Sequence, residues 1–374
     1  MTRSLRTDAS RRSFLRAVSG LAASAALPQR SLPLATGLAG LAALANQSSH
    51  AATTSGYKAL VCLYMNGGSD THNWVVPIDV SGYTEYVRAR GDLAWPQDRL
   101  QAITSTSQSS GRSFGMPVEL APLRNCYESG LAAIVANVGP LVRPITKAEY
   151  LAGIGVPAKL FSHNDQASNW QTMAPEGAAQ PGWAGRMGDI LMSANAQPVF
   201  TAVSTNGSAA FLTGSQVSQY QVGLEGPILA GGMTSSSVFG SATAGNALRS
   251  AYAGTSTDRV QAEYVRVMQR SMRANATLQA ALSGVNVPAI PTTTVAQTAN
   301  AGNTTLDQLS LARQLRMVLQ IIAANQALGM RRQVFMVQMG GLDTHSNQMR
   351  DQPVQMAQVA LSISYFLAAL NSLG

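Results

Sequence analysis

Two stretches of this chain are apolar over too long a run to have a wet face. Lys58 to Asn66 (KALVCLYMN) and Val334 to Met339 (VFMVQM) favour β structure without alternating polar and apolar residues, and each ends at a glycine pair, Gly67-Gly68 and Gly340-Gly341. A strand with one solvated face alternates; a strand covered on both faces reads as a continuous apolar run, and such strands belong to parallel sheets flanked by helices. Leu131 to Val138 (LAAIVANV) and Gln197 to Val203 read as further strands of the same kind. Between them lie helical patterns. Asp258 to Leu282 is amphipathic with Arg-rich faces, Leu306 to Leu328 runs from Asn303-Thr304 to a stop at Gly329, and residues 354–370 form a last helix. The expectation is an α/β fold, a three-layer sandwich over a mostly parallel sheet. Residues 101–116, 229–246 and 285–303, rich in Ser, Thr, Gly or Pro, are expected as surface excursions.

Charge divides the chain sharply. Residues 1–51 hold six Arg and one acid, a net +5 out of the formal +8, which leaves +3 for everything downstream. The basic balance therefore belongs mainly to the leader and argues against a nucleic-acid partner. Within the leader, Ser10-Arg11-Arg12-Ser13-Phe14-Leu15-Arg16 fits the twin-arginine export pattern. The apolar stretches Ala17 to Leu27 and Leu34 to Ala45 are separated by Pro28, Arg30 and Pro33. Neither reaches the roughly 20 residues of a membrane span. Small residues at Ser49-His50-Ala51 suit cleavage after Ala51. The expectation is a signal peptide over 1–51, recognised through Arg11 and Arg12 by the twin-arginine translocase, and one domain over 52–374 delivered to the periplasm or outside with no stable transmembrane span after cleavage. The 46% hydrophobic content of the whole chain suffices for one large core. The two cysteines, Cys62 and Cys126, read as buried thiols, with a single disulfide as the open alternative.

The chemistry is concentrated in an internal echo. Gly67-Gly68-Ser69-Asp70-Thr71-His72 comes after the first apolar run, and Gly340-Gly341-Leu342-Asp343-Thr344-His345 after the late one. In open α/β sheets the carboxyl ends of the strands line the ligand crevice, and Asp with neutral His offers the oxygen and nitrogen donors that Zn²⁺ or Mn²⁺ accept. A third segment, Leu160-Phe161-Ser162-His163-Asn164-Asp165-Gln166, places Ser162 at a helix start, as either an N-cap or a nucleophile. Three of the four histidines, His72, His163 and His345, fall in these segments. An Asp after a glycine pair is also an ordinary turn residue, so the echo carries more weight than any one of its members. Gly111-Arg112-Ser113-Phe114-Gly115 matches a nucleophile elbow in letters only, since a polar run precedes it and Pro117 comes soon after.

At these residues the sequence resembles the exported bacterial family known as domain of unknown function 1501, a relative of the alkaline phosphatase and sulfatase superfamily. The resemblance rests on the twin-arginine leader, Gly67-Gly68-Ser69-Asp70 with Asn73 and Pro77, and Leu120-Ala121-Pro122-Leu123 to Asn137-Val138-Gly139-Pro140. It continues through Ser162-His163, Asp165-Gln166, Trp170, Gly182-Trp183 and Arg186 to Gly341-Leu342-Asp343-Thr344-His345 and Gln348. It implies an alkaline-phosphatase-like fold, a divalent metal ion (zinc, manganese or similar) at Asp70, Asp343 and His345, and Ser162 as nucleophile. Asn73, His163, Asp165 and His72 stand around them as supporting positions. The implied activity is metal-dependent hydrolysis of a small phosphate or sulfate ester. Members of the family continue with a Glu- or Asp-Phe-Gly-Arg motif and an Asp-His-Gly motif beyond the position of Gly374, so the sheet and metal site are expected to be incomplete at the C-terminal end. Two further readings stay open: a non-catalytic exported protein that keeps the fold and binds a partner at the cell surface, and a truncated inactive product.

Overall fold

The computed structural model describes residues 56–105, 107–176, 180–228, 237–295 and 304–373. The leader, with Arg11 and Arg12, lies outside the described residues, as do 229–236 and 296–303 of the expected excursions. Lys58–Gly374 forms one compact unit. Its strands in chain order are β1 (Lys58–Met65), β2 (Val76–Pro77), β3 (Leu100–Ile103), β4 (Phe114–Pro117), β5 (Ala202–Ser204), β6 (Tyr220–Gly223), β7 (Gly226–Pro227) and β8 (Arg332–Met339). The helices are α1 (Val80–Arg90), α2 (Ala121–Glu128), α3 (Lys147–Leu151), α4 (His163–Thr172), α5 (Trp183–Leu191), α6 (Ala242–Ala253), α7 (Arg259–Leu282), α8 (Ser310–Ala323) and α9 (Gln348–Ser372).

The main sheet has the order β1-β8-β5-β6-β7 and is parallel except for the last pair. The two apolar runs of the echo are thus neighbouring parallel strands, but the first is not buried as its pattern predicts: β1 lies at the sheet edge, with Lys58 to Leu60 exposed and the rest half-buried. Gln333 to Val337 of β8 are at most 1% exposed, so this strand is covered on both faces. Val334 and Met336 pack with Ala184 of α5, Ala202, Phe211 and Leu212. Their neighbours Phe335 and Val337 point the other way along the pleat, and α8 also packs on β8. Helix α5 lies close to residues 210–213 because Gly182 and Gly185 have no side chain: a Cβ on either would collide with the backbone of Ala210 or Thr213.

Side chains complete the sheet where its strands end. Buried Asn195 donates to the Arg332 carbonyl at 2.7 Å and accepts from the N–H groups of Arg331 and Arg332, both at 2.9 Å. Gln314 of α8 accepts from the Gln338 N–H at 2.9 Å and donates to the Gln338 carbonyl at 2.8 Å, standing in for the strand that β5 is too short to supply.

A second sheet, β2-β4-β3, is antiparallel. Its apolar side packs with Tyr86 of α1, Trp95, Leu120 and the α9 residues Met356 and Ala360. By length and mean hydropathy (1.4), α9 could cross a membrane, yet Met356 and Ala360 are fully buried in this core.

Three further sequence expectations are corrected. Residues 131–138 form no strand. The chain leaves α2 through the Leu131 N–H to Cys126 carbonyl bond (2.8 Å) and runs irregularly, with Leu131, Val135 and Val138 66%, 76% and 72% exposed. Asn137 sits at φ +57°, which is incompatible with a strand path, and β1 stays at the sheet edge. The stretch 197–203 is mostly a 3₁₀ turn, Pro198–Phe200, with the strand beginning only at Ala202. The excursion 101–116 contains most of β3 and β4, and its Ser and Thr residues mark only the loop between these two short strands. The first cysteine expectation stands in part: both thiols are free but only half-buried, and burial pushes the Cys62 thiol up to about 11.

Candidate functional site

The two glycine pairs leave the sheet side by side. The β1–β8 register runs from Lys58 opposite Arg332 to Met65 opposite Met339, and the Asn66 N–H to Met339 carbonyl bond (2.8 Å) extends it. Gly67 and Gly68 (φ +98° and +93°) and Gly341 (φ +78°) then turn the chain in conformations that side chains resist. The result is a cavity of about 180 Å³ lined by Gly68, Asp70, Leu342, Asp343, Thr344, Gln348 and Gln352. Asp70 and Asp343, 273 residues apart in sequence, therefore share one cavity at one end of the sheet.

Their surroundings differ. The Asp70 carboxylate is ion-paired with Arg90 at the end of α1, accepts from Gln348 Nε2 of α9, and accepts from the His72 N–H at 3.2 Å. His72 Nδ1 stands 3.7 Å away on a side chain 82% exposed. The loop behind Asp70 is fixed by Asn73, which is fully buried. Its Nδ2 donates to the Leu93 carbonyl (3.0 Å) and to Gln352 Oε1 (3.1 Å), and its Oδ1 accepts from the Tyr86 hydroxyl (2.8 Å). Gln352 Nε2 donates in turn to the Asp70 carbonyl at 2.8 Å. Asn73 thus holds the backbone of the Asp70 loop and does not touch its carboxylate.

Asp343 has imidazoles instead. His345 Nε2 lies 2.8 Å and His163 Nε2 3.5 Å from Asp343 Oδ2. His345 is 83% exposed, so it has not been drawn into the interior. His163 opens α4, which is anchored one helix length away by Trp170. That indole packs against Tyr64 of β1, Trp183 and Phe211, with ring centroids 5.2 to 5.9 Å apart. Burial raises the Tyr64 hydroxyl above its ordinary value.

Ser162 does not line the cavity. It is the N-cap of α4, with its hydroxyl donating to Asp165 Oδ2 at 2.5 Å. That bond, with Lys159 Nζ at 3.3 Å from the same carboxylate, holds Asp165 below the usual carboxylate range despite some desolvation. The backbone here is under strain: Lys159 and Phe161 before α4, and His345 and Asn347 before α9, are four of the seven non-glycine residues with positive φ among the described residues. Non-glycine residues in this region cost free energy of order 1 kcal/mol or more each, and clusters of them mark sites whose geometry is imposed by their surroundings.

The structure thus brings Asp70, Asp343, His345 and His163 to one place and keeps Ser162 and Asp165 one step aside on α4. Among the described residues, no three His, Cys, Asp or Glu side chains already converge on a common cation position. Sequence reasoning missed Arg90 and Gln352. The Gln348/Gln352 spacing of one helical turn was a usable signal, whereas nothing in the α1 sequence marks Arg90 as the partner of Asp70. No protein-family model matches this chain, and neither a curated protein nor a solved structure does.

Proposed function

We propose that this chain is an exported, metal-dependent hydrolase-like protein with an alkaline-phosphatase-like three-layer fold, acting on a small phosphate or sulfate ester. The observation that supports this reading most is the sharing of one cavity by Asp70 and Asp343 at the carboxyl ends of two adjacent parallel strands. The donor set at Asp343 fits a divalent cation in kind: Asp343, His345 and His163 provide one hard oxygen and two imidazole nitrogens. Both imidazoles are more than half exposed and free to turn toward a cation. Asp70 fits less well, because Arg90 and Gln348 already occupy its carboxylate. A bound zinc or manganese would supply Lewis-acid polarisation of the ester and an acidified water. Around it, Arg90 and Gln348 hold Asp70 at the wall of the cavity, and α4 brings His163 to Asp343. The Arg11-Arg12 leader would direct export to the periplasm or the exterior.

The second reading, a non-catalytic protein that binds a partner at the cell surface, draws on a specific observation: the carboxylate of Asp70 and the hydroxyl of Ser162 are both engaged within the chain. Calorimetric titration with Zn²⁺ and Mn²⁺, alongside hydrolysis of p-nitrophenyl phosphate and p-nitrophenyl sulfate, separates the two. The hydrolase reading expects metal uptake, chelator-sensitive turnover, and a loss of metal affinity of at least about tenfold in Asp343→Asn. No uptake and no turnover would leave the binding reading. Replacing Arg11-Arg12 by two lysines is expected to hold precursor in the cytoplasm of fractionated cells, and unchanged export would remove the twin-arginine route.

A further inference from the structure

We propose that the amino-terminal half of α7 lies on an anionic phospholipid surface. Val260, Tyr264, Val267, Ser271, Ala274 and Leu278 succeed one another at spacings of four and three, which puts them on one helix face. The carboxyl-terminal half of that face belongs to the protein: Ala274 and Leu278 are 7% and 0% exposed. Neighbouring Asn275 is buried too, accepting from the Tyr220 hydroxyl and donating to the Ile228 carbonyl, both at 2.7 Å. The amino-terminal half is left in water, with Val260 80%, Tyr264 56% and Val267 46% exposed. Tyr264 stands beside Tyr252 of α6, with hydroxyls 3.3 Å apart.

Charge says what covers this half. Arg259, Arg266, Arg270 and Arg273 lie on the helix side next to the apolar row. Glu263 is shared between Arg266 (3.3 Å) and Arg270 (2.8 Å), and Asp258 is spent on the N-cap, accepting from the Gln261 N–H at 2.8 Å. Arg259 and Arg273 have no acidic partner among the described residues. Residues 242–282 carry five arginines and two acids, a net +3. That equals the net charge of all residues 52–374, so the remainder of that stretch is neutral. The net positive charge of residues 52–374 is therefore that of the α6–α7 stretch, which carries the exposed apolar row. A nucleic-acid backbone would engage the arginines and leave Val260 and Val267 in water. A bilayer of anionic lipid engages both, the guanidinium groups at the phosphates and the valines at the acyl boundary.

The test is flotation of the full chain with vesicles of phosphatidylglycerol and phosphatidylcholine in equal parts, against vesicles of phosphatidylcholine alone. Any contribution of the leader is the same in wild type and variants, so the comparison between them carries the result. Binding to the anionic vesicles is expected to fall roughly tenfold in Arg259→Ser/Arg273→Ser and by a similar factor in Val260→Ser/Val267→Ser. All four positions are surface residues, and unchanged circular-dichroism melting shows that the variants fold. Binding that is absent, equal on the two vesicle types, or insensitive to both double variants overturns the proposal. Tighter binding to an RNA or DNA duplex than to the anionic vesicles, lost in the arginine variant but not in the valine variant, overturns it as well.

Discussion

The two halves of the echo share one six-residue pattern and end in opposite environments. Asp70 is 17% exposed, paired with a guanidinium that is itself only 23% exposed, and backed by a buried amide network. Asp343 is 30% exposed and faces two imidazoles that remain largely in solvent. The difference comes from the element that each glycine pair leads into. After Asp70 the chain makes a 3₁₀ turn into α1 and the small sheet, so its loop is walled in by Tyr86, Trp95 and Gln352. After Asp343 it passes the strained residues His345 and Asn347 directly into α9, at the surface. A shared motif fixes how the chain leaves a strand; the packing of the next element decides whether the carboxylate is structural or available.

This contrast breaks most readily at Asn73. Asn73→Ala leaves the Tyr86 hydroxyl proton without its acceptor and the Leu93 carbonyl without its donor around a fully buried position, and is expected to cost about 3 kcal/mol of stability by urea unfolding. The same truncation at His345 is expected to cost less than about 0.5 kcal/mol. If both cost the same, the Asp70 loop is not the rigid one.

The carboxylates themselves give the next largest effect. Asp70→Asn removes the partner of a mostly buried Arg90 and is expected to destabilise by about 2 kcal/mol. Asp343→Asn, facing exposed groups, is expected to stay within about 0.5 kcal/mol. Metal titration sharpens the comparison from the other side, since the larger affinity loss is expected at Asp343. Equal affinity losses would mean that Arg90 gives way when a cation arrives.

How far this was legible depends on the reach of each signal. The pairing of β1 with β8 could be read from two apolar β-favouring runs that end at matching glycine pairs, although only β8 is covered on both faces and β1 is a half-exposed edge strand. Helix α7 was equally readable: its periodic pattern and Asp258 cap are local. Leu131 to Val138 shows the limit, because β composition states a preference and pairing requires a neighbour that sequence does not name. The Asp70–Arg90 pair was unreadable for a related reason. It joins residues across the turn from a loop to the far end of a helix, and arginine at a helix end is an ordinary solvated residue in most chains. In contrast, the N-cap role of Ser162 is one of the two roles its sequence context allows, and the Ser162–Asp165 geometry supplies it.

The smallest expected effect tests that last point and separates capping from chemistry. Asp165 sits below the ordinary carboxylate value of 3.8, chiefly through the Ser162 hydroxyl. A carboxylate lowered on folding contributes stability above its ordinary value and loses that contribution as pH falls through its folded value. Ser162→Ala is therefore expected to move the Asp165 titration midpoint, followed by NMR, up toward 3.8, and to flatten the acid limb of the unfolding profile. Ser162→Asn keeps a side-chain acceptor for the Asp165 N–H and should preserve α4, and with it the placement of His163 at Asp343. If Ser162 only caps the helix, any ester hydrolysis survives in the asparagine variant. If the hydroxyl is also the nucleophile, hydrolysis disappears there while the helix, the melting temperature and metal uptake stay as they were. An Asp165 midpoint that ignores Ser162→Ala would instead show that Lys159 governs this carboxylate, and that the serine at the start of α4 is free for another role.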